Sequence, residues 1–290
     1  MARRHYSRQR ALACATAGVL TMFFALASCS KAKATLPDLS ALGEITVVVR
    51  EEGSGTRDEF SNLAGTAQAG AKRAALSTDQ VIEAVAKDEN AIGYVAFTAL
   101  QGGKTADVAL LSIEGVECTA KNIASGRYPL ERKYILAYSG DVSELVADFI
   151  AYTKTAGQAV VEQMCTPAHN AARFLSNGEV GTITVSGSSS MQTLMAALVE
   201  DYGTYNPHAV IALEVTDSTA GLNAAMRGQR DLAMSSRSLK DYEAELLTTV
   251  PIAADGIAVI VNAKNPLRDI SLEQLRTIYD GKVSTWGDLR

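Results

Sequence analysis

The chain has 290 residues, of which 47% are hydrophobic and 20% charged, and its formal net charge is −5. This composition is typical of a water-soluble globular protein, and the length allows two lobes with separate cores. An acidic chain without a basic tract beyond its first residues is a poor candidate for binding nucleic acid. Any anion site must therefore be built locally, from loops and helix ends.

The first 28 residues have the pattern of a bacterial lipoprotein signal peptide. Four arginines precede a nearly uncharged apolar stretch, residues 11–27, and the sequence Leu26-Ala27-Ser28-Cys29 follows. The apolar stretch is short for a membrane span, which disfavours a transmembrane helix, and the cysteine favours a lipoprotein over a plain secretory signal. We expect cleavage before Cys29, lipidation of its thiol, and a tether over residues 29–43. The mature chain then has a net charge of −9 and is held at the extracytoplasmic face of the cell membrane by its lipid.

A glycine-rich loop follows the first predicted strand. The apolar run Ile45–Val49 indicates a buried strand, residues 50–57 read Arg-Glu-Glu-Gly-Ser-Gly-Thr-Arg, and a helical pattern opens at Asp58. The glycines allow a sharp turn and a close approach to a ligand, and the first N–H groups of the helix have no intrahelical partner. The pattern favours an oxyanion site, although an ordinary capped helix is the simpler alternative.

The next segment alternates predicted strands and helices. Ser77 and Gln80 have the spacing of a helix cap, with Val81, Ile82 and Val85 on the apolar face. The remaining pattern predicts strands over residues 91–95, 108–111 and 134–138, and helices over residues 142–152 and 157–164.

Three further strand ends deliver hydroxyl-rich loops. The predicted strands are residues 183–185, 210–215 and 231–234, and the loops that follow begin at Gly187, Asp217 and Ser235. Each loop alone is explained by helix capping. Because ligands of open α/β sheets bind at the carboxyl ends of strands, four such loops in one chain favour a binding site.

The last segment contains a predicted strand over residues 257–261 and a helix that is capped by Ser271 and runs through Ile278. The single tryptophan, Trp286, is predicted to lie in the core. Cys118 and Cys165 can form a disulfide or remain free thiols, and both alternatives stay open. The two histidines of the mature chain stand far apart, so we expect no metal site, no cofactor and no histidine-based catalytic triad.

The chain resembles the phosphate-binding proteins of bacterial phosphate ABC importers. This family has a two-lobed α/β fold of the class II periplasmic binding protein type. The motifs that carry the resemblance cover nearly all of the mature chain: ITVVVREEGSGTRDEF, NAIGYVAF, GRYPLERKYIL, GTITVSGSSSM, DSTAG, DLAMSSR, ADGIAVIVNAKNP and IYDGKVSTWGDL.

The order of these motifs suggests a circular permutation of the family pattern, with the old ends joined around residues 174–182. One lobe is then expected to contain residues 36–132 plus 256–290, and the other residues 133–255. Hinges are expected near residues 132–137 and 253–259. A truncated or misassembled tandem gene is the alternative.

The resemblance also implies a ligand site and its partners. Phosphate is bound between the lobes without any bond being made or broken, and the closed form is presented to the permease subunits of an ABC importer. Glu52 falls where the family has an acid beside the arginine. Ser236 departs from members that have an aspartate there to accept the phosphate proton. The expected ligand residues are Arg50, Ser54, Gly55, Thr56, Ser190, Met191, Ser218, Ser236 and Arg237.

Other functions remain open at this point. Another oxyanion, such as sulfate, molybdate or tungstate, is the first alternative, and a sensor built on the same lobes is the second. A secreted phosphatase or serine hydrolase is disfavoured, because the loop at Gly187 lacks the second glycine of a nucleophile elbow and no histidine is placed to activate a serine.

Overall fold

The computed structural model describes residues 36–101 and 106–289. The signal peptide and Cys29 lie outside the described residues. All of the described residues belong to one compact unit. Among the described residues, no helix combines the length and the apolar character that crossing a bilayer requires.

The described part of the chain alternates strands and helices. The strands are β1 (Thr46–Arg50), β2 (Arg73–Ala75), β3 (Ala91–Ala96), β4 (Val108–Leu110), β5 (Ser112–Ile113), β6 (Glu131–Tyr138), β7 (Thr166–Pro167), β8 (Gly181–Ser188), β9 (Ala209–Thr216), β10 (Leu232–Ser235), β11 (Thr248–Asn262) and β12 (Asp269–Ile270). The helices are α1 (Gly55–Ala64), α2 (Thr78–Lys87), α3 (Ala120–Ala124), α4 (Glu144–Thr153), α5 (Gln158–Glu162), α6 (Gln192–Tyr205), α7 (Ser218–Met226), α8 (Asp241–Ala244) and α9 (Leu272–Tyr279), and short 3-10 turns cover Phe97–Leu100, Ser189–Met191 and Trp286–Asp288.

The main sheet is mixed, and its strand order is β2-β1-β3-β11-β6-β10-β8-β9, with β4 and β7 also paired to β11. β1 is parallel to β2 and β3, and β8 is parallel to β9 and β10. β11 is antiparallel to both of its neighbours on this path, β3 and β6. β6 is also antiparallel to β10, so two groups of parallel strands are joined through the antiparallel strands β11 and β6.

β11 changes its partner along its length. Its first part pairs with β6 as far as Gly256, which lies opposite Glu131, and from Ile257 it pairs with β3. We call this point the crossing. The chain passes between the two groups of strands there and again at the start of β6, so side chains at the crossing can contact loops from both groups.

The hydrophobic core also falls into two main clusters. One draws on residues 39–130 and 257–289, and the other on residues 134–253. Trp286 is fully buried in the first cluster, as predicted, and its indole N–H donates to the carbonyl oxygen of Asn90 at 3.0 Å. The division into two lobes that move as bodies stays a prediction.

The predicted caps are confirmed, whereas some element bounds are wrong. Ser77 caps α2, and Ser271 forms a capping box with Gln274 on α9. β11 begins at residue 248 rather than 257, because pairing with β6 extends the strand through Pro251 and a bulge that the sequence pattern does not reveal.

The two cysteines of the described residues are free thiols in the structure. Cys118 is buried, and Cys165 lies 3.3 Å from the hydroxyl of Thr98. Burial raises the pKa of each thiol to about 12, so both are held in the unreactive protonated form at neutral pH.

Candidate functional site

Three of the hydroxyl-rich loops meet at one edge of the sheet. β8, β9 and β10 are parallel neighbours, so the residues after them, which we call the β8 loop (189–191), the β9 loop (217–218) and the β10 loop (236–238), leave the sheet together. The hydroxyl of Ser188 donates to that of Ser236 at 2.8 Å. The backbone N–H of Ser236 donates to the hydroxyl of Ser218 at 3.2 Å. The sheet therefore brings these serines into direct contact.

The β1 loop (51–56) comes from the other group of strands and contacts the same serines. Thr56 Oγ1 lies 2.7 Å from Ser190 Oγ. A Cβ on Gly55 would lie well inside contact distance of Ser218 Oγ and 2.8 Å from Ser236 Oγ. Gly55 is required because only a residue without a side chain permits this approach.

The convergence of the four loops creates a buried, donor-rich site. Ser54, Thr56, Ser218 and Ser236 are at most 2% exposed. Ser54 also caps α1, since its hydroxyl accepts from the N–H of Arg57, so the simple capping explanation holds as well. The amides at the start of α1 lack intrahelical partners and carry the positive end of the helix dipole. Hydroxyls and amides arranged in this way can replace the hydration shell of an oxyanion.

Arg50 adds a cation at the end of β1 and is 1% exposed. Its guanidinium forms a two-bond pair with Glu51, at 2.8 and 2.7 Å. It also donates to Thr78 Oγ1 and to Ser189 Oγ, each at 3.0 Å. Arg50 therefore reaches the β8 loop, although much of its charge is already balanced by a carboxylate.

The acid beside Arg50 is Glu51 and not Glu52, which corrects the assignment made from the sequence. Glu52 lies in the turn after β1 and is exposed. Gly53 has a φ of 87° and lies against the carboxylate of Asp217. Asp217 is consequently the acid that approaches the β1 loop from the β9 loop.

Arg237, which is expected to bind the ligand, already has acidic partners in the structure. Its guanidinium is paired with the buried carboxylate of Glu243, at 2.7 and 2.8 Å. Its Nε lies 3.2 Å from Asp58 on α1, and Ser238 contacts Glu59. These contacts tie the β10 loop to α1, and a direct contact of Arg237 with the ligand stays a prediction.

Comparison with known proteins identifies the family. The model of the PBP superfamily domain matches residues 30–155 and 174–289. The phosphate-binding protein PstS 2 of Streptococcus agalactiae serotype V is 35% identical over 279 residues, covering 91% of this chain and 92% of its own. The chain belongs to the PBP superfamily, in the family of phosphate-binding proteins.

A second relative and a solved structure agree with this placement. The PstS 2 protein of Streptococcus pneumoniae serotype 4 is 34% identical and covers 92% of this chain and 94% of its own. The crystal structure of the phosphate-binding protein of a phosphate ABC transporter from S. pneumoniae TIGR4 matches with a TM-score of 0.70 at 33% identity, covering 86% of this chain and 100% of that one. The two-lobed α/β fold of periplasmic binding proteins is thereby confirmed, and the family is one of solute-binding proteins rather than enzymes.

The PstS 2 relatives share the segment order of this chain. An alignment that covers more than nine tenths of both chains requires the same order in both. This agreement disfavours a misassembled gene as the origin of the order. That other members of the phosphate-binding protein family have a permuted order stays a prediction.

Three residues at the crossing were not identified from the sequence as part of the site. Arg132 on β6 lies opposite Asp255 on β11, and its Nη2 lies 3.1 Å from Asp255 Oδ2. Tyr134 donates to the same carboxylate oxygen at 2.7 Å. Asp255 offered a signal, as a single charge within an apolar strand, whereas Arg132 lies among charged neighbours, and we assigned both segments only to hinges.

No metal centre accompanies the loops. Within residues 36–101 and 106–289, no group of three or more histidine, cysteine or acidic side chains could hold a metal ion. A surface cavity of about 570 Å³ lies elsewhere, lined by residues such as Gln158 and His169, and none of the predicted ligand residues lines it.

Proposed function

We propose that this chain binds inorganic phosphate between its two lobes and delivers it to the permease subunits of an ABC importer. The observation that carries the proposal is the convergence of the β1 loop with the β8, β9 and β10 loops in a buried site rich in hydroxyls and amides. The proposal is supported by membership of a family whose relatives are named for phosphate binding and an ABC transporter.

In this proposal the phosphate oxygens take hydrogen bonds that the loop residues now make with one another. Thr56 and Ser190 come from opposite lobes, and so do Gly55 and Ser236. An anion held by such pairs stabilises the closed arrangement, because its contacts exist only when both lobes are in place. The proposed ligand residues are Arg50, Ser54, Gly55, Thr56, Ser190, Met191, Ser218 and Ser236, with Arg237 joining the β10 loop to α1.

The same site raises a second candidate ligand. A serine at position 236 does not enforce an acceptor for the phosphate proton, and Glu51 and Asp255 already accept several protein donors. Asp217 is a further acid beside the loops, since its carboxylate lies against Gly53. If Asp217 does not accept the proton, a fully ionised oxyanion such as sulfate binds as well as phosphate does.

Delivery to a permease requires an extracytoplasmic position at a membrane. The predicted signal peptide and lipidation of Cys29 supply both, and we therefore propose a lipid-anchored protein on the outer face of the cell membrane. A phosphate sensor that takes no part in transport would use the same site. Activation of a permease by this chain would distinguish transport from sensing.

Isothermal titration calorimetry of phosphate into the chain from residue 30 onward tests the proposed ligand. We expect saturable one-site binding that persists in excess sulfate. Equal binding of sulfate would favour the general oxyanion function, and a folded chain that binds neither anion would contradict the proposal.

A further inference from the structure

Arg132 is a fully buried cation at the crossing whose contacts extend beyond a structural ion pair. On one side its Nη2 lies 3.1 Å from Asp255 Oδ2 and 3.1 Å from the hydroxyl of Tyr134. Its Nε is buried and has no hydrogen-bond partner. The guanidinium is therefore only partly used by its carboxylate partner.

On the other side Arg132 contacts the proposed ligand site. Its Nη1 donates to Thr56 Oγ1 at 2.7 Å and to the carbonyl oxygen of Ser236 at 3.3 Å. Thr56 belongs to the β1 loop and Ser236 to the β10 loop. The side chain of Arg132, on β6, therefore bridges the two loops.

The contact with Arg132 restricts how the Thr56 hydroxyl can be used. A guanidinium has donors only, so Thr56 Oγ1 must accept from it and turn its own proton elsewhere. The next hydroxyl, Ser190 Oγ, lies 2.7 Å from Thr56 Oγ1. Either of these two hydroxyls can donate to the other, but the proton of Thr56 points away from the cation in both cases and can be donated to an acceptor ligand.

The charge of Arg132 is also less balanced than that of Arg50. Asp255 accepts from the N–H and hydroxyl of Thr98, at 3.0 and 2.6 Å, and from the hydroxyl of Tyr134. Its carboxylate therefore interacts with three neutral donors as well as with Arg132. Burial opposes the charged form of Arg132, but Tyr134 and Asp255 raise its pKa above the ordinary arginine value. The guanidinium thus stays charged beside the loops.

We propose that Arg132 is a positioning residue of the oxyanion site, which is held by Asp255 and Tyr134 and fixes the Thr56 hydroxyl as a donor to the ligand. The inference rests on the proposed function. It assigns to the crossing a direct influence on ligand affinity, through the hydroxyl of Thr56, in addition to any role in stability.

A double-mutant cycle separates this role from a purely structural one. R132M keeps most of the side-chain volume without the donors, and T56V keeps the shape of threonine without the hydroxyl. Phosphate affinity is measured by calorimetry for the wild type, both single variants and the double variant. We expect R132M to weaken binding roughly 10- to 100-fold in the wild-type background, the range for a hydrogen bond to a charged group, and less than about threefold in the T56V background.

A control variant and the pattern of affinity losses distinguish a positioning role of Arg132 from a structural one. R276M replaces an exposed arginine of α9 and is expected to bind phosphate as the wild type does. A loss of affinity by R132M that is equal in both backgrounds would show a structural role and overturn the inference, as would unchanged affinity. If R132M does not fold, R132K replaces it in the same cycle, because a single amine cannot span Asp255 and Thr56 as the guanidinium does. We then expect R132K to lose at least threefold in phosphate affinity in the wild-type background but not in the T56V background. A wild type that binds no phosphate would instead refute the proposed function.

Discussion

At the scale of single residues, Gly55 shows how the lack of a side chain builds the site. An alanine Cβ at this position would press into the hydroxyls of Ser218 and Ser236. We expect G55A to weaken phosphate binding at least tenfold, because the β1 loop can no longer approach the other loops. The fold should be kept, since residue 55 is the first residue of α1 and alanine favours helix over glycine by about 1 kcal/mol.

Gly203 provides a matched control for G55A. It lies within α6, and nothing stands within 4 Å of a Cβ added there. G203A is expected to bind phosphate normally and to be more stable by about 0.5–1 kcal/mol. Calorimetry and thermal unfolding of both variants check the pair, and normal binding by G55A would refute the packing argument.

Arg50 is the residue with the largest expected effect on affinity. Removing one partner of a buried charged contact costs about 2–5 kcal/mol of binding free energy, so R50A should bind phosphate far more weakly than the wild type. Calorimetry measures the loss, and the melting temperature without ligand shows whether Glu51, left unpaired, destabilises the fold. A dissociation constant equal to that of the wild type would show that Arg50 is not part of the ligand site.

The sequence predicted the loop residues better than the charges that support them. The β1, β8, β9 and β10 loops were identified because glycine and hydroxyl residues after a strand are a local pattern. The pairing of Arg132 with Asp255 joins residues 123 positions apart, and that of Arg237 with Glu243 depends on how the β10 loop turns. Local patterns do not determine such contacts.

At the scale of elements, the end of α9 is joined to the segment after α1 through a carboxylate. Asp280 accepts from the hydroxyl of Thr66 at 2.6 Å and from the N–H of Ala67 at 3.0 Å. The Thr66 hydrogen bond is the main cause that lowers the pKa of Asp280 below its ordinary value. The ionised carboxylate therefore stabilises the contact between these elements.

The pH dependence of D280N tests this contact. A lowered pKa in the folded state contributes stability that is present above the unfolded pKa, about 3.9, and is lost as pH falls through the folded value. We expect D280N to be less stable than the wild type at pH 7, by less than about 1 kcal/mol because solvent screens this partly exposed group. The gap should shrink below about pH 4 in thermal unfolding curves, and a gap that is constant from pH 7 to pH 3 would contradict the assignment.

Short local signals predicted most elements, but not the strand that joins the two parts of the sheet. Ser77 and Ser271 cap helices as predicted, since capping depends on a few neighbouring residues. β11 was predicted at less than half its length. Its first part is held by pairing with β6, which is a tertiary interaction that overrides the proline in its sequence.

At the scale of the whole molecule, function depends on two core clusters that meet through β6 and β11. The ligand loops come from both sides, so phosphate binding and closure are one event in this account. The resemblance predicted a two-lobed α/β fold, and the match to a solved phosphate-binding protein with a TM-score of 0.70 confirms it, whereas the bounds of the lobes stay a prediction.

A crystal structure of the chain with phosphate tests the central claim most directly. The account predicts a tetrahedral anion within hydrogen-bond distance of the amides of Gly55 and Thr56 and of the hydroxyls of Ser190, Ser218 and Ser236. An anion bound elsewhere, such as in the cavity beside His169, with these loop residues still in contact with one another, would contradict it.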